Sequence, residues 1–184
     1  MKITVAKSAG FCFGVTRAVK MCEETLEKFG KCFTLGPIIH NGTVVEELRQ
    51  KGADILSAPE DAGPGDVVLV RSHGISKSAE EKLKSTGAAI VDATCPFVAK
   101  IHEIARQESQ KGRTIVIIGQ AEHPEVEGIA GWCDKYLIFR DASELENWLE
   151  ADEKNSQIPI SVVSQTTGNR DNYEICNNLI KKQC

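Results

Sequence analysis

The chain has 184 residues, 41% hydrophobic, 26% charged and only 5% aromatic, the composition of a globular protein with room for one large domain or two small ones. A net charge of −4, with no basic run longer than Lys181-Lys182, excludes the positive field that nucleic-acid binding needs. The longest apolar runs, TIVIIG (114–119) and DVVLV (66–70), are strand length and far below a membrane span. MKITVAKSAG lacks an export signal, so no membrane role and a cytoplasmic location are expected.

In chain order, the first candidate strand is ITVAKS (3–8), and the small-residue turn SAGFCFGV (8–15) leads from it into a helix, VTRAVKMCEETLEKF (15–29). Strand candidates then follow at KCFTLG (31–36), ADIL (53–56), VVLVRS (67–72) and AAIVDAT (88–94). The amphipathic stretch FVAKIHEIARQESQ (97–110) precedes TIVIIG (114–119), YLIF (136–139) and ISVVSQ (160–165). Strand–helix alternation predicts an α/β fold of parallel sheets flanked by helices.

The pattern repeats. Cys12 and Cys95, Gly36 and Gly119, and His40 and His123 are each 83 residues apart, and VVLVRSH ending at His73 resembles ISVVSQT ending at Thr166. Such self-similarity predicts two similar lobes, 1–95 and 96–184. Parallel α/β units bind ligands beyond the carboxyl ends of their strands. Cys12, His40, His73, Cys95, His123 and Thr166 all follow candidate strands, so they are expected around one cleft.

The seven cysteines lie at 12, 22, 32, 95, 133, 176 and 184. An odd count in a chain with no export signal argues for reduced thiols, most of them small buried hydrophobes. Cys12 and Cys95 stand apart because they occupy matched strand ends. No CxxC pair supports structural zinc, and widely spaced cysteines fit an iron–sulfur cluster better. The repeat hints at a third unit with a third cysteine. Cys184 closes a helical segment instead of following a strand, so that cysteine is expected beyond this chain.

His40, His73 and His123, grouped beside helix N-termini, suit an anion such as a diphosphate. His102, on a helix face, reads as structural or surface. In AEHPEVEG (121–128), Glu125 fits two roles equally, a first-turn helix acid or a proton donor leaning into the cleft.

GFCFGV (10–15), PIIHNGTVVEEL (37–48), RSHG (71–74), DATCPFV (92–98), GQAEHPEVEG (119–128) and SQTTG (164–168) resemble, in order, the motifs of the 4-hydroxy-3-methylbut-2-enyl diphosphate reductase (LytB) family. The resemblance implies an oxidoreductase for the last step of non-mevalonate isoprenoid synthesis, giving isopentenyl and dimethylallyl diphosphate. It implies a 4Fe-4S cluster with Cys12 and Cys95 as two of three ligands. It further implies His40, His73 and His123 on the substrate diphosphate, Glu125 as proton source and Thr166 at the substrate's hydroxyl end. Family members have three α/β lobes, and the third has no counterpart here, so an incomplete, inactive fragment is expected. No GxGxxG fingerprint follows a strand, which points to a separate ferredoxin- or flavodoxin-like electron donor. A non-catalytic anion-binding module and a cluster-dependent hydro-lyase are the competing readings.

Overall fold

The computed structural model describes residues 2–7 and 9–183. Helix α1 (Phe13–Phe29) precedes β1 (Cys32–Leu35), α2 (Gly42–Gln50), β2 (Ala53–Leu56), β3 (Val67–Val70), α3 (Lys77–Ser85) and β4 (Ala89–Asp92). Helix α4 (Pro96–Gln110) then leads to β5 (Thr114–Ile118), α5 (Pro124–Ala130), β6 (Tyr136–Phe139), α6 (Ala142–Ala151), β7 (Ile160–Ser164) and α7 (Arg170–Gln183). Single 3-10 turns stand at Pro59–Asp61 and Glu153–Gln157.

Two parallel sheets result, one four-stranded in the order β2-β1-β3-β4 and one three-stranded in the order β6-β5-β7. The duplication seen in the sequence is therefore a duplication of topology: β1, β2 and β3 correspond to β5, β6 and β7, and β4 is an added edge. Central strands are apolar on both faces because helices cover both faces. Val67 and Leu69 pack toward α1 and α2, while Val68 and Val70 pack toward α3. Ile115 and Ile117 pack toward α4 and α5, and Val116 and Ile118 toward α6 and α7. Each such side chain contributes about 1.5–3 kcal/mol on burial.

Seven of the eight strand candidates form. The exception is ITVAKS: among its described residues, 3–7 are irregular, and Ile3 and Val5 are each 74% exposed. Alternation of apolar residues marks a chain suited to pairing, but a strand forms only where a neighbour takes its backbone hydrogen bonds. Neither sheet pairs with it. Ser8 and Cys184, named in the sequence readings, lie outside the described residues. No helix among the described residues is long and apolar enough to cross a membrane.

Candidate functional site

The loops after the strands are laced together at the carboxyl ends of the sheets. Ser72, just past β3, donates its amide and hydroxyl to the Ile38 carbonyl (3.3 and 3.1 Å) and accepts the Cys95 amide at 2.9 Å. The loops carrying His40, His73 and Cys95 are thereby tied at one buried serine. Gln165 does the same in the second half: its amide bonds the Ile118 carbonyl at 3.0 Å, and its Oε1 accepts the Gln120 amide at 3.2 Å.

His40, His73 and His123 meet across the lobes. Ring centroids are 4.3 Å apart for His40–His73, 5.3 Å for His40–His123 and 5.5 Å for His73–His123. Their nitrogens lie within 4.8 Å of one another, close enough to consider a metal ion. One hydrogen bond argues for an anion instead. His123 is the N-cap of α5, and its Nδ1 accepts the Glu125 amide at 3.1 Å. That fixes the neutral tautomer with the proton on Nε2, so the ring's free nitrogen is a donor and not a ligand lone pair.

Further features favour negative charge. His73 Nδ1 is buried without a partner. Burial, followed by its neighbours His40, Arg71 and His123, pulls the His73 imidazole down to about 4. Burial, followed by His40 and Arg71, lowers His123, with Glu127 opposing. The permanent positive charge among these groups is Arg71, whose Nε is also buried and unpaired. Arg71 lies in the RSHG motif, but only the folded chain shows its charge acting on both His73 and the distant His123.

Glu125, in the first turn of α5, is 1% exposed. Its Oε1 accepts the Thr166 amide at 2.6 Å and its Oε2 accepts the Thr166 hydroxyl at 2.9 Å. Burial pushes its carboxyl up, and the Thr166 hydrogen bonds oppose the rise. The balance is a carboxylic acid held toward its protonated form and connected to the exterior through an exposed threonine.

Cys12 and Cys95 occupy the N-cap positions of α1 and α4, neither spending its side chain on a cap hydrogen bond. A Cβ on Gly14 would come 2.6 Å from Cys95 Sγ, so only glycine lets α1 approach that thiol. Both thiols line one cleft of ≈ 570 Å³ with Phe13, Phe97 and Thr166. Phe13 and Phe97 are 65% and 67% exposed, an apolar rim around the pair. Two thiols on one cleft, neither used by the fold, are suited to part of an iron–sulfur ligand set. Arg17 braces the arrangement, donating to the Thr94 carbonyl at 3.0 Å.

His102 is not a surface residue: it is 8% exposed, between the lobes. Cys22, Cys32 and Cys176 are buried and Cys133 partly so, as expected of small hydrophobes.

Comparison with known proteins places these residues in a family context. The family model described as LytB protein matches residues 3–184. The chain is 41% identical over 182 residues to the 4-hydroxy-3-methylbut-2-enyl diphosphate reductase of Geobacter sulfurreducens, covering 99% of this chain and 61% of that protein. It is 45% identical over 152 residues to that of Caldanaerobacter subterraneus subsp. tengcongensis, covering 80% and 53%. A solved structure of (E)-4-hydroxy-3-methyl-but-2-enyl diphosphate reductase matches with a TM-score of 0.80 at 37% identity, over 98% of this chain and 64% of that one. The reductase structure from Plasmodium falciparum matches with a TM-score of 0.86 at 27% identity, over 96% and 55%. The chain thus spans between about half and two thirds of these relatives.

Proposed function

Because the chain belongs to the LytB protein family, we propose that it is the diphosphate-gripping and proton-supplying part of a 4-hydroxy-3-methylbut-2-enyl diphosphate reductase. The observation that carries this reading is a donor-rich histidine cluster beside a buried carboxylic acid. His40, His73 and His123 would hold the diphosphate, with Arg71 supplying fixed positive charge. Replacing the substrate's hydroxyl by hydrogen consumes two electrons and two protons and releases water. Glu125 is too buried to deliver a proton directly. Its protonated Oε2 can donate to the Thr166 hydroxyl, which then turns its own hydrogen toward the leaving hydroxyl.

Cys12 and Cys95 would hold a 4Fe-4S cluster together with a third cysteine in the part of the relatives that this chain does not span. When bound, that group supplies the two electrons, received from a ferredoxin- or flavodoxin-like carrier.

Calorimetric titration of the chain with inorganic pyrophosphate tests the cradle. Binding is expected, weakened roughly tenfold or more by His73→Ala. Failure of the chain to bind pyrophosphate at all would overturn the assignment.

A further inference from the structure

The seam between the lobes is built around one side chain that the proposed reaction does not use. His102 projects from α4, seven residues after Cys95, and is wedged between two glycines of different lobes. A Cβ on Gly74, directly after His73, would lie 2.6 Å from its Cε1, and a Cβ on Gly128, in α5, would lie 3.2 Å from its Nε2. The same Gly128 position is 3.5 Å from the His73 carbonyl. One turn on, a Cβ on Gly131 would fall 2.2 Å from Ser76 Cβ, and the Trp132 indole donates to the Ile75 carbonyl at 3.0 Å. Helix α5 therefore lies directly on the 73–76 loop, with the His102 ring as the spacer and Trp132, centroid 6.1 Å away, closing the side.

His102 Nε2 is buried with no hydrogen-bond partner. A buried unpaired polar atom is a cost that a phenylalanine of similar shape would avoid. Its place explains what the ring does. Helix α5 is capped by His123 and carries Glu125, and the loop it rests on begins at His73.

We propose that His102 is a positioning residue: its imidazole sets the distance between α5 and the 73–76 loop, and so holds His123 opposite His40 and His73. The consequence for ligand binding rests on the diphosphate reading above; the consequence for geometry does not.

The test is made on the full chain with two readouts. In the ligand-free protein, nuclear cross-relaxation between the His73 and His123 rings, 5.5 Å apart, should vanish in His102→Ala and survive in His102→Phe. Inorganic pyrophosphate affinity should fall roughly tenfold in His102→Ala and stay within about threefold in His102→Phe. Gly128→Ala adds a methyl against Nε2 within a helix, where alanine ordinarily stabilises. It should weaken pyrophosphate binding and the His73–His123 contact even if its melting temperature holds. If His102→Ala and Gly128→Ala keep the ring contact, with changes confined to melting temperature, His102 is core packing only and the proposal is overturned. If the ring contacts change as stated while the unmodified chain binds no pyrophosphate, the positioning role stands and the diphosphate reading fails.

Discussion

At the mouth of the four-stranded sheet His73 keeps a buried Nδ1 with no partner, whereas at the matching place in the three-stranded sheet Thr166 gives both amide and hydroxyl to Glu125. The helix starts differ in the same way. In the first half Asn41 caps α2, accepting the Val44 amide at 3.1 Å, which leaves the neighbouring His40 free and exposed. In the second half His123 is itself the cap of α5, which locks its tautomer. A duplicated scaffold thus presents unsatisfied donors on one side and an internally satisfied acid on the other. Binding needs the first condition and proton storage the second.

The largest expected effect comes from breaking the satisfied side. In a complete reductase carrying this sequence, with equal cluster content confirmed, Glu125→Gln should slow steady-state turnover by roughly two to four orders of magnitude. Glu127→Gln, an exposed acid in the same first turn, should stay near the unmodified rate. The relay adds a finer contrast: Thr166→Ser keeps the hydroxyl and should retain most activity, while Thr166→Val should approach Glu125→Gln. Near-normal rates for both Glu125→Gln and Thr166→Val would reduce Glu125 to a helix-start residue.

The unsatisfied side should show itself in acid. His73 and His102 are both held at about 4, chiefly by burial, against about 6.5 for an exposed histidine. Between those values the unfolded chain binds protons that the folded chain does not, so stability is complete above about pH 6.5 and is lost as pH falls toward 4. Each group alone sets a limiting slope of about 1.4 kcal/mol per pH unit, less where solvent reaches the ring. Urea midpoints at pH 7, 6 and 5 should therefore fall, and His102→Phe should flatten part of the decline. A bound diphosphate reverses the sign at His73, because an anion favours the protonated ring. Pyrophosphate binding near pH 5.5 should take up protons, seen as a binding enthalpy that varies with the buffer's ionisation enthalpy. Pyrophosphate's own proton release is common to the unmodified chain and His73→Phe, so equal buffer dependence in the two would mean that the ligand does not sit against His73.

Most of the scaffold was legible because its signals are local. The continuous apolar runs VVLV and TIVII demanded cover on both faces, and the 83-residue offset announced two copies of one topology. ITVAKS failed for a non-local reason, since alternation cannot say whether a partner strand is at hand. His40, His73 and His123 could be grouped from the sequence because they share strand-end positions, and the fold brings their rings together. Ser72 and Gln165 share one place in the repeat, yet neither they nor Arg71 and His102 could be singled out, because their importance lies in contacts distant in sequence, such as that between Ile118 and Gln165, 47 residues apart. Gly128 in α5 and Gly131 just past its end, three residues apart, were the trace a sequence could offer of the inter-lobe seam.

The smallest effect separates capping from binding. Asn41→Ala removes one side-chain acceptor from the start of α2, at a cost of about 1 kcal/mol. Because His40 carries no capping duty, pyrophosphate affinity should move little beyond that loss of stability. At the matching helix start the two duties coincide, and His123→Asn separates them. Asparagine is among the best N-caps, so α5 and the melting temperature should be retained. The Nε2 donor is gone, however, and pyrophosphate affinity should fall roughly tenfold or more. Calorimetry and thermal melts on these two variants therefore give opposite patterns, stability lost with binding kept for Asn41→Ala and the reverse for His123→Asn. If His123→Asn binds pyrophosphate as well as the unmodified chain, the second half contributes a helix cap and not a ligand contact, and the anion rests on His40, His73 and Arg71.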